Sequence, residues 1–178
     1  MSPEHLRQII SEKVRAVNDF PKSGIVFRDV TPLLSDNLLL RLSVDQMVAP
    51  WTGKFDAVAG IESRGFIFAS AAAYSSGAGL HLLRKPGKLP PPVKSHSYTL
   101  EYGQDAIEVV DRSLAGKRVL LLDDVIATGG TAQAAVHLLR SIGAEVVGAS
   151  FLIKIQDLDG TALLEEGLHV STHSVLSY

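Results

Sequence analysis

Val119-Leu120-Leu121-Leu122-Asp123-Asp124-Val125-Ile126-Ala127-Thr128-Gly129-Gly130-Thr131 runs from four consecutive apolar residues through two acids into a glycine turn. An unbroken apolar run of this length, introduced by Lys117 and Arg118, reads as a strand buried on both faces at the centre of a sheet. Beyond the turn, the pattern predicts a helix from Thr131 to Ile142, ended by Gly143. In open α/β sheets, ligands bind beyond the C-terminal ends of the strands, which is where these acids and glycines fall. Gly129 and Gly130 let the backbone approach an anion closely, the helix start offers unpaired N–H groups, and the Thr128 and Thr131 hydroxyls add donors. A phosphomonoester suits that loop. Asp123 and Asp124 would repel a phosphate but can accept hydrogen bonds from vicinal hydroxyls, so the segment reads as a site for a ribose carrying a 5-phosphate.

Outward from this segment, short apolar strands alternate with helices. Strands are predicted at 55–59, 80–83 and 146–155, helices at 64–74 and 161–166, and a last strand at 169–176. A loop rich in Pro and Lys (85–94) leads into 95–102 and 107–110, which read as a hairpin arm. At the N-terminus, Ser2-Pro3-Glu4 supplies an N-cap, a first-turn Pro and an early acid. Leu6, Ile9, Ile10, Val14 and Val17 then recur at helical spacing, predicting one amphipathic helix. Phe20-Pro21-Lys22-Ser23-Gly24 breaks it. An extended piece from Ile25 to Val30 follows, closed by Thr31-Pro32, and then a helix from Asn37 to Val48.

The 178 residues suffice for one sizeable core, and 46% of them are apolar. Seventeen basic and nineteen acidic residues nearly cancel, so nothing draws the whole chain toward nucleic acid or an anionic membrane; an anionic ligand must meet locally placed donors. Without Cys, thiolate metal sites, disulfides and thiol nucleophiles are excluded. No signal-type apolar run opens the sequence, and the apolar stretch 57–74 is interrupted by Glu62 and Arg64, so the expectation is a cytoplasmic protein. The apolar run and acid resemble a Walker-B strand, but no G-x-x-x-x-G-K-[ST] partners it. Gly77-Ala78-Gly79 lacks the third glycine of a dinucleotide fingerprint, since position 82 is Leu. His169 and His173, without a third ligand, read as ordinary polar residues.

The 119–131 segment resembles the 5-phosphoribosyl 1-diphosphate motif of type I phosphoribosyltransferases. Three further segments narrow the resemblance to the adenine phosphoribosyltransferase family: Phe20-Pro21-Lys22-Ser23-Gly24-Ile25-Val26-Phe27-Arg28-Asp29, Gly60-Ile61-Glu62-Ser63-Arg64-Gly65-Phe66, and Tyr98-Thr99-Leu100-Glu101-Tyr102-Gly103. They stand in the family's order and spacing, and the likeness covers essentially the whole chain. The resemblance implies an α/β fold of the type I phosphoribosyltransferase kind, with a mainly parallel central sheet flanked by helices. It implies a single domain over 1–178, with a small N-terminal hood at about residues 1–35 and a flexible flap at about residues 86–106.

The implied activity joins adenine to 5-phosphoribosyl 1-diphosphate, giving AMP and diphosphate in purine salvage. Ala127, Thr128, Gly129, Gly130 and Thr131 would hold the 5-phosphate, and Asp123 and Asp124 would face the ribose hydroxyls. Glu62, Ser63, Arg64 and Gly65, with a non-proline cis peptide expected between Glu62 and Ser63, would hold the diphosphate together with Lys85 and Lys88, aided by Arg84. Mg²⁺ would arrive bound mainly through the substrate, with no ligand taken directly from the protein. Main-chain groups around Val26 and Arg28 would read the adenine edge, and the Phe27 ring and Val125 side chain its faces. Glu101, beside Tyr102 in the flap, would be the catalytic acid/base. The implied assembly is a homodimer that binds neither nucleic acid nor membrane.

Two departures bear on this. Pro90-Pro91-Pro92 is stiffer than the family's usual sequence, and Lys154 stands where adenine-specific relatives generally carry an acid and 6-oxopurine-specific ones a lysine. The rival readings are therefore a hypoxanthine/guanine enzyme and a non-catalytic regulator that senses 5-phosphoribosyl 1-diphosphate, the latter without the basic face or appendage it would use on DNA.

Overall fold

A computed structural model describes residues 2–100, 103–110 and 114–178. The chain divides into two compact units, Met1–Gln46 and Met47–Tyr178.

The first unit opens with helix α1 (Pro3–Glu12), where the Ser2 hydroxyl accepts the His5 N–H at 3.2 Å, as the N-cap reading expects. The helix ends sooner than its apolar spacing predicts. Residues Arg15–Asn18 instead form strand β1, paired antiparallel with β2 (Val26–Asp29), so that Ala16 meets Arg28 and Val17 meets Phe27. The pairing is pinned by an ion pair from Arg15 to Asp29 at 2.8 Å. A cross-strand partner fourteen residues away thus overrides local periodicity, because ladder hydrogen bonds satisfy the same backbone groups that another helical turn would have used. Thr31-Pro32 closes the extended segment β2 as expected, and it does more than that. It opens a one-turn helix α2 (Thr31–Leu34), where proline's missing N–H costs nothing and Asp29 accepts the Thr31 N–H at 2.9 Å. Helix α3 (Asn37–Val48) follows with the predicted bounds.

The second unit is built on a five-stranded sheet in the order β4-β3-β7-β8-β9, parallel throughout. Its strands are β3 (Ala57–Ile61), β4 (Gly79–Leu83), β7 (Arg118–Ile126), β8 (Glu145–Lys154) and β9 (Thr172–Ser177). The helices are α4 (Gly65–Ser76), α5 (Gly130–Ser141) and α6 (Gly160–Leu168), and strands β5 (Val93–Leu100) and β6 (Gly103–Val110) form a separate antiparallel hairpin. The last strand begins later than predicted, because His169 caps α6 in a left-handed conformation (φ 54°) rather than starting β9.

The central β7 is covered on both faces, as its unbroken apolar run requires. Val119 and Leu121 join Ala57, Ala59 and Ile61 of β3 in one core with α5, α6 and the inner side of β6. Their alternates Val58, Leu120 and Leu122 lie on the opposite face with Phe68, Ala69 and Ala72 of α4, which packs on β3 and β7. Farther along that face, the buried Ser150 hydroxyl donates to the Met47 carbonyl at 2.8 Å. Leu120, Leu121 and Leu122 are fully buried, each contributing about 1.5–3 kcal/mol relative to an exposed side chain. Among the described residues, no helix is long and apolar enough to cross a membrane.

Candidate active site

The chain leaves β3 toward β4 on one side of the sheet and returns to β7 on the other. At such a reversal the connections diverge and leave a crevice beyond the strand ends. The crevice here is a cleft of about 370 Å³ lined by residues 61–64, Lys85 and residues 123–132. Twelve residues singled out from the sequence meet in it: Glu62, Ser63, Arg64, Lys85, Asp123, Asp124, Val125, Ala127, Thr128, Gly129, Gly130 and Thr131.

The floor of the cleft is the turn from β7 into α5. Gly129 sits at φ 83°, in the left-handed region, and as the N-cap residue it brings no side-chain acceptor, so first-turn N–H groups are left for a ligand. The turn rests on the start of α6: a Cβ on Gly129 would lie 2.3 Å from the Gly160 carbonyl oxygen, and a Cβ on Gly160 would lie 2.2 Å from that of Ala127. Gly160 is a site residue that sequence reading missed, and the only local signal is a glycine in an Asp-Gly-Thr helix start.

The two acids stand at the end of β7. Asp123 accepts the N–H of Asp124 at 2.9 Å, and the buried Asp124 carboxylate lies 2.8 Å from Arg64 Nε. Burial pushes the Asp123 carboxyl well up, and the neighbouring Asp124 charge adds to the rise; burial also raises Asp124, against the opposing pull of Arg64. Gly65 is outside the cleft lining and lies behind Asp123, where a Cβ would fall 2.7 Å from Asp123 Oδ1. Its part is to let α4 start that close to β7.

Across the cleft, the Glu62–Ser63 peptide is cis, as the resemblance implies. The Glu62 carboxylate gathers Lys88 Nζ at 2.8 Å, the Lys85 N–H at 2.8 Å and the Arg84 guanidinium at 3.2 Å. Burial works to raise its pKa, but the bonds from Lys88, Lys85 and Arg84 outweigh it and hold the group at about 2. Lys88 therefore reaches the site through Glu62 rather than by lining the cleft. Lys85 Nζ is bound by Asp105 and by the Tyr98 hydroxyl at 3.3 Å, and Tyr98 is 3.2 Å from Thr131 Oγ1. Neither Tyr98 nor Asp105, on β5 and β6, was assigned a role from the sequence, although Tyr98 opens one of the segments that carry the resemblance. They lie seven residues apart and meet only because Tyr98 pairs with Asp105 across the hairpin.

Val26, Phe27 and Arg28 lie on β2 of the first unit, where Phe27 meets Phe20 edge-on at 5.2 Å and both line a cavity of about 180 Å³ with Arg15, Val17 and Asp29. Glu101 and Tyr102 fall outside the described residues. Lys154, at the end of β8, donates to Thr161 Oγ1 at 2.7 Å and approaches Asp159 at 3.4 Å. Among the described residues no group of three or more His, Asp or Glu side chains is placed to hold a metal ion. The oxygen-rich lining at Asp123 and Asp124 is compatible with a hard cation that keeps its own waters and substrate oxygens.

Comparison with known proteins agrees with this geometry. The phosphoribosyl transferase domain family matches residues 44–164. An adenine phosphoribosyltransferase of a Bradyrhizobium species is 52% identical over 171 residues, covering 95% of each chain. The crystal structure of adenine phosphoribosyltransferase from Rhodothermus marinus superposes with a TM-score of 0.92 at 43% identity, covering 98% of this chain and 99% of the other. That of the Saccharomyces cerevisiae enzyme, complexed with an iminoalditol bisphosphate and adenine, gives 0.89 at 30% identity, covering 97% and 99%. The chain belongs to the adenine phosphoribosyltransferases of the phosphoribosyl transferase domain family.

Proposed function

We propose that this chain transfers the 5-phosphoribosyl group from 5-phosphoribosyl 1-diphosphate to adenine, yielding AMP and diphosphate. The observation that carries this reading is the cleft at the β3/β7 reversal, where a glycine-floored helix start and a pair of acids stand side by side. The 127–131 turn takes the 5-phosphate, and Asp123 and Asp124 take the ribose hydroxyls. Ser63, Arg64 and Lys85 meet the diphosphate, and behind them Glu62 holds the Arg84 guanidinium, the Lys88 ammonium and the Lys85 main-chain N–H. Mg²⁺ bound to the substrate would offset the charge developing on the departing diphosphate.

In the transfer, the bond from the anomeric carbon to the diphosphate oxygen breaks and one to a purine ring nitrogen forms, so the purine gives up a proton. Glu101, outside the described residues, is assigned to accept it. Base recognition is assigned to the Phe27 ring, the main chain at Val26 and Arg28, and the Val125 side chain. The Saccharomyces cerevisiae relative, crystallised with adenine, supports that base. Lys154 is engaged by Thr161 and approaches Asp159, two partners for its three N–H donors, so discrimination against a 6-oxopurine is assigned to the main chain around Phe27 rather than to Lys154. Spectrophotometric assay with adenine, hypoxanthine or guanine, 5-phosphoribosyl 1-diphosphate and Mg²⁺ tests the proposal. Adenine should be turned over at least ~100-fold faster, and chelation of the metal should stop the reaction. Faster turnover of hypoxanthine would overturn the assignment of the base.

A homodimer is part of the same proposal. Ile67 and Tyr74 lie two turns apart on one exposed face of α4, and Leu80 is exposed on the edge strand β4.

A further inference from the structure

The two ends of the cleft are joined by a side-chain chain that the transfer reaction does not by itself require. On the diphosphate side, Lys85 Nζ is held by Asp105 and lies 3.3 Å from the Tyr98 hydroxyl and 5.8 Å from the centre of the Tyr98 ring. On the 5-phosphate side, the same hydroxyl is 3.2 Å from Thr131 Oγ1, and it is also 3.2 Å from Asp105 Oδ2. Tyr98 and Asp105 face each other across the β5–β6 hairpin, while Lys85 follows β4 and Thr131 lies in the first turn of α5. One hydroxyl therefore ties the hairpin to both phosphate-binding ends.

We propose that Tyr98 is a positioning residue for 5-phosphoribosyl 1-diphosphate, orienting Thr131 for the 5-phosphate and Lys85 for the diphosphate from one hydroxyl in the half of the hairpin nearer its turn. This rests on the substrate assignment above. A phenol has one proton and two lone pairs. With Lys85 donating to its oxygen, Tyr98 can donate either to the Asp105 carboxylate or to Thr131 Oγ1. If Tyr98 donates to Asp105, the Thr131 hydroxyl is free to donate to Tyr98. If Tyr98 donates to Thr131, the Thr131 proton is released toward the cleft, where a phosphate oxygen would accept it. Binding of the 5-phosphate selects the second arrangement and leaves Asp105 Oδ2 to Lys85, while Oδ1 keeps the Ala106 N–H. Asp105 keeps its charge to do so: burial raises its pKa, but Lys85 and the Ala106 N–H bring it below the usual value. The exchange moves hydrogen-bonding protons only, and no covalent bond changes.

The test is steady-state kinetics of Tyr98→Phe, which keeps the ring and removes the hydroxyl, with each substrate varied at saturating levels of the other. KM for 5-phosphoribosyl 1-diphosphate should rise about 3- to 10-fold, the loss of roughly one hydrogen bond, while KM for adenine stays within about twofold. Asp105→Asn keeps the shape but removes the charge that holds Lys85, and should shift the same KM in the same direction. It carries the comparison if the first variant does not fold. Unchanged KM for 5-phosphoribosyl 1-diphosphate in both, or an equal rise in both substrates' KM values, overturns the role of Tyr98. Absence of adenine turnover by the unaltered protein would instead overturn the substrate assignment, so the two failures are distinguishable.

Discussion

Glu62 shows how a single residue sets the charge of one wall of the cleft. Three donors converge on its carboxylate, and they hold it at about 2 despite burial, against 4.5 for an unperturbed glutamate. Between those values the folded protein binds fewer protons than the unfolded chain. The group therefore contributes stability that is fully present above about pH 4.5 and is lost as pH falls through about 2. Glu62→Gln keeps the shape and removes the charge, leaving Arg84 and Lys88 facing a neutral acceptor. We expect it to lower the unfolding free energy by about 1–3 kcal/mol at pH 7. Urea unfolding at pH 7, 5 and 3 should show the gap between variant and parent closing as the pH falls. A gap of constant size would mean that packing, not charge, explains the loss.

At the scale of elements, the phosphate turn depends on α6, a helix distant in sequence. A Cβ on Gly160 would meet the Ala127 carbonyl oxygen at 2.2 Å and the Gly129 nitrogen at 2.5 Å, both backbone atoms that cannot rotate away. Gly160→Ala should therefore displace the turn, costing about 1–3 kcal/mol of stability. KM for 5-phosphoribosyl 1-diphosphate should rise by about tenfold, equivalent to 1.4 kcal/mol. Thermal unfolding and steady-state kinetics check the two effects, and an unaltered KM would remove α6 from the account of the turn. The same contrast explains what could be read from the sequence. Strand β7, its acids, the glycine turn and α5 were legible because each signal is local: an apolar run, a left-handed glycine, a helical period. The early end of α1 and the roles of Gly160, Tyr98 and Asp105 were not, because each is decided by a partner elsewhere in the chain. Lys154 was legible as a departure, but not its engagement by Thr161, which depends on how the start of α6 lies beside the end of β8.

At the scale of the whole molecule, the parallel sheet ends in two edge strands, β4 and β9. An edge presents unpaired backbone groups, and proteins cover it or guard it. On the β4 side stand Leu80, 39% exposed, and the outer face of α4 with Ile67 at 39% and Tyr74 at 93%. A tyrosine that open to water retains its apolar ring, and aromatic rings are enriched where protein surfaces meet. A second copy of the chain meeting this face about a two-fold axis would cover Ile67 and Tyr74 on both subunits at once, since an isologous contact repeats every residue. Light scattering should then return about twice the 19.1 kDa of one chain. Tyr74→Glu would bury two like charges at the contact and should shift the mass toward the single chain, with the secondary structure seen by circular dichroism preserved. A variant that keeps the doubled mass would place the interface elsewhere, and a parent protein at single-chain mass would remove the dimer altogether.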